Sequence, residues 1–273
     1  MTNWFQTAGI SPIYGRGPTR RWIVQGGPAI PDDASSPSVT SQMQTLIRAA
    51  RRAHCTYIEL RCFADYSRYH QAILDAGFTF VPHYDITIAP LAPSSSQDPL
   101  PDWIHESKRR QIRHAIEEGQ TWRETQQTDD IRAWYSCLRA LYRAKVHRPI
   151  PSLHFFLDVV QHHGCHLLVV ELHQRIIGGV LIPADSNIAY EWYLCGQVMS
   201  TWAAIEWCRQ HHISTFDTMG AGEPGIPYGV RDFKLQMGGT LHNYGRYRYI
   251  LRPTLYRLGE CAIRLLSKKK MTN

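Results

Sequence analysis

One lysine, two acids and a short aromatic strand are the groups whose type and spacing could do chemistry. Lys234 lies in Tyr228-Gly-Val-Arg-Asp-Phe-Lys234-Leu-Gln-Met-Gly-Gly239. With Lys108 and Lys145 it is one of three lysines ahead of the terminal run Lys268, Lys269, Lys270, in a chain with 24 arginines. Its ammonium brings a point charge and three donors, suited to negative charge developing on an oxygen; the plainer alternative is an exposed lysine on a short helix. Asp217 ends a strand before Thr-Met-Gly-Ala-Gly222. Strand ends that open into glycine loops are frequent places for reactive groups, so Asp217 could orient a substrate or accept its proton, or only cap the loop. In Tyr190-Glu-Trp-Tyr-Leu-Cys195, strand alternation puts Tyr190 and Trp192 on one face and Glu191 and Tyr193 on the other. Glu191 requires a polar partner if it is buried.

Lys108, Arg109, Arg110 and Arg113 place four cations within two helical turns, a contact suited to a phosphorylated substrate or an RNA backbone. The same cluster could be a solvated face balanced by Glu106, Glu117 and Glu118. His162-His-Gly-Cys165-His166 has metal-ligand residue types but no second ligand pair, so no metal site is expected. Gly15-Arg-Gly17 and Gly26-Gly27 are too short for phosphate loops and read as turns.

These groups must be positioned by a chain of 273 residues, 44% of them hydrophobic, which is enough for a real core and excludes a disordered or low-complexity chain. The net charge of +7 is uneven: residues 228–273 carry ten basic and two acidic side chains, and the remainder is close to neutral. Seven cysteines without a CxxC pair suggest reduced thiols in a cytosolic protein. The longest apolar runs fall far short of the ~20 residues that span a bilayer.

Ala89 to Pro101 is rich in proline and serine and reads as a linker between domains 1–100 and 101–273. After it, periodicity predicts a helix from Asp102 to Gly119, a strand at 121–125, a long helix from Thr128, a second from 152 to 163, and strands at 166–172, 175–182 and 188–195. A helix at 200–211, a strand at 213–217, a short helix at 229–236, a strand at 240–250 and a helix at 254–267 complete that domain. Before the linker, strands at 21–25, 56–61 and 78–88 alternate with helices at 39–54 and 66–76, a partial copy of the second half of the later order. Leu74-Asp-Ala-Gly77-Phe-Thr79-Phe80 echoes Leu235-Gln-Met-Gly238-Gly-Thr240-Leu241, each at a helix-to-strand junction. Ile73 then corresponds to Lys234.

The element order resembles the GNAT acyltransferase fold. The Tyr228–Gly239 motif, followed by an aromatic strand and Arg252-Pro-Thr-Leu-Tyr256, is similar to the ending of the Fem-type aminoacyltransferases, which build peptidoglycan cross-bridges. Lys108-Arg-Arg-Gln-Ile-Arg113-His-Ala115 is similar to the helix that opens their catalytic half. The resemblance implies an α/β protein of tandem GNAT-like domains, each a mixed central sheet flanked by helices, the first truncated and degenerate. It implies acyl transfer to an amine by direct attack, with Lys234 stabilising charge at the acyl carbonyl and Asp217 and Glu191 as the other catalytic candidates. Lys108, Arg109, Arg113, Tyr190, Trp192, Tyr193, Tyr228, Arg231 and Phe233 are the expected substrate contacts.

No tightly bound cofactor is expected; the acyl donor is a co-substrate, aminoacyl-tRNA in the leading reading. Gly196-Gln-Val-Met-Ser-Thr201-Trp keeps only one of the glycines of a CoA pyrophosphate loop, although Ser200 and Thr201 could still cap the helix and bind a phosphate. The acceptor is a peptide or lipid-linked amine. An N-acyltransferase that uses acyl-CoA or an acyl carrier protein is the second reading, and a non-catalytic RNA-binding or membrane-surface module the third. Leu251, Leu255, Leu258, Ala262 and Leu265 line one side of the last helix ahead of the lysine run, a pattern that docks on the domain or touches an anionic membrane.

Overall fold

Strands and helices form where the periodicity places them, but three expected strands are each divided. The computed structural model describes residues 13–15, 17–31, 33–94, 99–147 and 150–270, without the side chains of 162, 197 and 262–270. Arg16, part of the Pro/Ser segment, and the side chains of Ala262, Leu265 and the three terminal lysines lie outside that description. In chain order the strands are β1 (Ile13–Tyr14), β2 (Arg21–Gln25), β3 (Tyr57–Arg61), β4 (Thr79–Val81), β5 (Asp85–Ile88), β6 (Thr121–Thr125), β7 (Cys165–Leu172), β8 (Arg175–Pro183), β9 (Ile188–Tyr190), β10 (Tyr193–Cys195), β11 (Thr215–Gly220), β12 (Thr240–His242) and β13 (Arg246–Ile250). The helices are α1 (Ser36–Arg52), α2 (His70–Asp75), α3 (Glu106–Glu117), α4 (Thr128–Leu141), α5 (Leu153–His162), α6 (Gln197–Gln210), α7 (Gly229–Gln236) and α8 (Pro253–Lys270).

Two units result, residues 1–83 with 243–273 and residues 84–242. This division differs from the expected 1–100 and 101–273. The expected strands 78–88 and 240–250 each break where a residue unsuited to a continuous ladder occurs: Pro82, which has no N–H to donate, and Gly245, at φ +69°. The second half of each then pairs in the other unit. Leu100, inside the expected linker, is buried in the core of the second unit.

In the first unit the sheet order is β1-β2-β3-β13-β4, with β2 parallel to β3 and the pairs β3–β13 and β13–β4 antiparallel. Ile58, Leu60 and Tyr247 share one face and bury against Val39, Met43, Ile47 and Ala50 of α1 and Ala72 and Ile73 of α2. The spacing of the four α1 residues gives one apolar stripe, and Ser35 caps the helix by accepting from the Ser38 N–H.

The second unit repeats that pattern in the sheet β12-β5-β11-β9, where β9 runs parallel to β11 and the pairs β11–β5 and β5–β12 are antiparallel. The last strand following each copy, β5 or β13, therefore lies second from one edge of the other copy's sheet, beside β12 or β4. Gly77 and Gly238, the glycines of the sequence echo, both have left-handed backbones at φ +95° and +91°. A further sheet, β10-β8-β7-β6, completes the unit. Its β7–β8 hairpin turns at His173-Gln174, both at positive φ, the geometry that matches strand twist in a two-residue loop. Leu168, Val170, Val180 and Ile182 pack with Phe216, Trp202 and Ile112 in the core of this unit. No helix among the described residues is long and apolar enough to cross a membrane.

Candidate functional site

The site is built where one strand serves two sheets. The expected strand 188–195 divides at Glu191–Trp192: β9 pairs with β11, whereas β10 pairs with β8. The Glu191 N–H donates to the Asp217 carbonyl at 2.9 Å, and the next N–H, that of Trp192, donates to Leu181 at 3.1 Å. The neighbouring strands diverge here, and the Glu191 side chain stands at the fork.

Opposite it, β11 bulges. Asp217 pairs with Thr87 and Gly220 with Asp85, so one extra residue is accommodated, and Met219 takes a left-handed backbone at φ +62°. Such a bulge leaves carbonyls without ladder partners. Lys234, delivered by α7, satisfies them: its Nζ donates to the carbonyl of Thr218, to Met219 at 3.4 Å and to Gly220 at 3.2 Å. Asp217 Oδ1 accepts the Met219 N–H at 2.6 Å.

Lys234 is only 6% exposed, Asp217 2%. The ammonium lies 3.9 Å from Glu191 Oε1, whose side chain is 11% exposed. Burial pushes Asp217 up to about 7, against the opposing pull of the Met219 N–H and Lys234. Burial also raises Glu191, against Lys234 and a 3.5 Å bond from the Thr201 hydroxyl. One ammonium faces two buried carboxylates, and burial favours the protonated form of each. The three sequence candidates for catalysis are thus brought together, although the Lys234 donors point at backbone carbonyls in this state.

The substrate-contact candidates divide. Lys108 lies over the Phe233 ring at 4.9 Å, which places α3 beside α7. Arg109 pairs with Glu106 at 2.7 Å and Arg113 with the same carboxylate at 3.5 Å, so the basic cluster is partly neutralised. Arg231 donates to the carbonyls of Glu223 at 3.1 Å and Ile226 at 2.6 Å and stacks on Tyr84, which makes it a staple for the loop ahead of α7. Tyr228 immediately precedes α7 and is exposed, with its ring against Gly222. Tyr190 is buried. Trp192 packs edge-to-face on Phe155 and Tyr193 on Phe156, both of α5, and the two neighbouring rings are 5.4 Å apart, so regular alternation ends at the fork. Ser200 and Thr201 do not present their hydroxyls to a phosphate: both are buried, and they donate to the Cys195 carbonyl and to Glu191.

Residue type gave no sign of two supports. The helix expected from Asp102 begins at Glu106, capped by His105, whose N–H donates to the Gln236 carbonyl at 2.9 Å. Trp103 lies against Gly238, where a Cβ would overlap the indole. Gly238→Ala is therefore expected to lower stability by about 2 kcal/mol or more through steric overlap and positive φ, measured by urea denaturation; an unchanged midpoint would show that the α3–α7 junction yields freely. The sequence signal for these contacts was only that the basic helix and the lysine motif both resemble parts of one catalytic half.

No family model matches the chain, and no curated protein matches it in sequence. Solved structures share its fold. FemX aligns with a TM-score of 0.64 at 12% identity, covering 90% of this chain and 84% of its own. The C-terminal domain of a candidate lysylphosphatidylglycerol synthetase from Agrobacterium fabrum aligns at 0.61 and 11% identity, covering 92% and 84%. A GCN5-related N-acetyltransferase from Sphaerobacter thermophilus aligns at 0.53 and 16%, covering 88% and 76%. The chain shares the GNAT-like α/β fold of these structures.

Proposed function

We propose that this protein transfers an acyl group, in the first instance an aminoacyl group carried by tRNA, to a primary amine of a peptide or lipid-linked acceptor. The observation that carries the reading is the meeting of Asp217, Glu191 and Lys234 at the sheet fork of a fold shared with FemX. A neighbour whose name makes lysylphosphatidylglycerol its product supports aminoacyl transfer in particular.

The acceptor nitrogen attacks the ester carbonyl, the C–N bond forms and the C–O bond to the donor breaks, without a covalent enzyme intermediate. Glu191, the more exposed carboxylate, takes the proton from nitrogen, with Asp217 sharing it, and the proton returns to the leaving oxygen. Lys234 exchanges one carbonyl contact for the developing oxyanion. Lys108 and Phe233 form one edge of the donor site.

A donor screen with mass spectrometry of the acceptor tests this reading. Aminoacyl-tRNA should yield an acylated amine, and binding of charged tRNA should weaken steeply with salt. Turnover of acyl-CoA but not of aminoacyl-tRNA would reject the tRNA assignment. Loss of donor without a modified amine would reject amine transfer altogether.

A further inference from the structure

The repeat places a second charged centre in the first unit. When Thr79 is matched with Thr240, the sheet row Thr79, Arg248, Glu59, Ile23 corresponds to the row Thr240, Thr87, Asp217, Tyr190. Glu59 thus occupies the position of Asp217, while Ile73 replaces Lys234 and no ammonium reaches the carboxylate from the helix.

Three arginines surround it instead. Arg61 Nε donates to Glu59 Oε1 at 2.9 Å, Arg246 Nη1 to the same oxygen at 3.3 Å, and Arg248 Nη2 to Oε2 at 2.8 Å. Alternation puts all four side chains on the sheet face opposite α1 and α2.

Glu59 is buried, yet one guanidinium would neutralise it. Two further guanidiniums converge on the same carboxylate, and like charges at this spacing repel each other, a cost that a bound anion reduces. The arginine side chains retain 20–30% of their exposure, so the group is reachable. Arg248 Nη1 donates to the Tyr256 hydroxyl at 2.9 Å, but its Nε is buried without a hydrogen-bond partner. Tyr57 and Tyr256 flank the Arg248 guanidinium at 5.9 Å each and hold it in place. Of the five donors of Arg61, only Nε has a partner among the described residues.

We propose that Arg61, Arg246 and Arg248, arranged around Glu59, form a binding site for a phosphate ester in the first unit. The catalytic position of one repeat has here become an anion-binding position, with the carboxylate as the organiser of a fork of guanidiniums. The site stands apart from the acyl-transfer reading and is testable without turnover.

Inorganic pyrophosphate titrated into the full chain by calorimetry should bind saturably. Arg61→Gln, which leaves the Arg246 and Arg248 contacts to Glu59 in place, should weaken binding about tenfold or more. Glu59→Gln removes the competing negative charge and should tighten it, a change of sign that a purely structural cluster would not produce. A parallel arm uses vesicles of phosphatidylcholine with and without phosphatidylglycerol. Binding of pyrophosphate assigns the site to a soluble phosphate ester, and Arg61-dependent binding of the anionic vesicles alone assigns it to a lipid headgroup. Absence of saturable binding to either probe, or binding that Arg61→Gln leaves unchanged, would overturn the proposal. Thermal melts of both variants keep the test sound: should Glu59→Gln unfold, Arg61→Gln decides it.

Discussion

Lys234→Met is expected to lower amine acylation by about 10²–10³-fold, the range seen when one transition-state donor is removed, and to destabilise the fold by about 3 kcal/mol or more, as when one partner of a buried charge group is lost. Both effects come from the same atom. Nζ satisfies the carbonyls that the β11 bulge leaves without partners, and it is the cation that faces Glu191 and Asp217. The triple variant Lys234→Met, Asp217→Asn, Glu191→Gln removes the uncompensated charges as well. It should recover part of the stability in urea denaturation while transfer remains lost. Recovery of transfer along with stability would reduce Lys234 to a structural clamp.

Asp217→Asn should lower transfer at pH 7.5 by about 10²-fold or more, as expected for loss of a member of a proton-accepting pair, without loss of the fold. The asparagine side-chain oxygen can still accept the Met219 N–H that Asp217 now holds. Stability should change in a pH-dependent way. Asp217 has a folded-state pKa of about 7, above its ordinary value of 3.8, so the folded protein binds this proton more tightly than the unfolded chain. Its contribution is therefore most favourable at low pH and declines as pH rises through that interval, at roughly 1.4 kcal/mol per pH unit. The variant should lack this decline, so the two proteins should diverge in urea midpoint between pH 4 and 7, with the variant relatively favoured at pH 8. Parallel pH curves would show that Asp217 is not buried as a protonated acid.

Local pattern made most of the elements legible, because periodicity, caps and turns are short-range. The α1 stripe, the β7–β8 hairpin and α7 at 229–236 occur at or within a few residues of their expected places. Pairing partners were less legible. Nothing short-range in 78–88 or 240–250 shows that each segment contributes strands to two sheets, although Pro82 and Gly245 mark the breaks. The fork at Glu191–Trp192 was hidden for a similar reason: the residues suit a strand, and only the divergence of β8 and β11 divides it.

In the site, the scarcity of lysine singled out Lys234, and an expected strand end singled out Asp217, which lies instead inside β11, because the strand continues through the bulge to Gly220. What those signals could not give was the bulge at Met219, whose side chain carries no mark of a left-handed backbone, or the use of Arg231 on loop carbonyls. The charge excess of residues 228–273 acquires distinct roles. Lys234 and Arg231 hold backbone carbonyls, and Arg246 and Arg248 converge on Glu59.

The most direct test of the central claim, that a proton-sharing carboxylate pair at the fork accepts the amine proton, is the pH dependence of kcat/KM with a confirmed amine acceptor. The wild-type rate should rise with an apparent pKa near 7, and that limb should be lost in Asp217→Asn while acceptor binding persists. A profile that keeps the same midpoint in the variant would contradict the account.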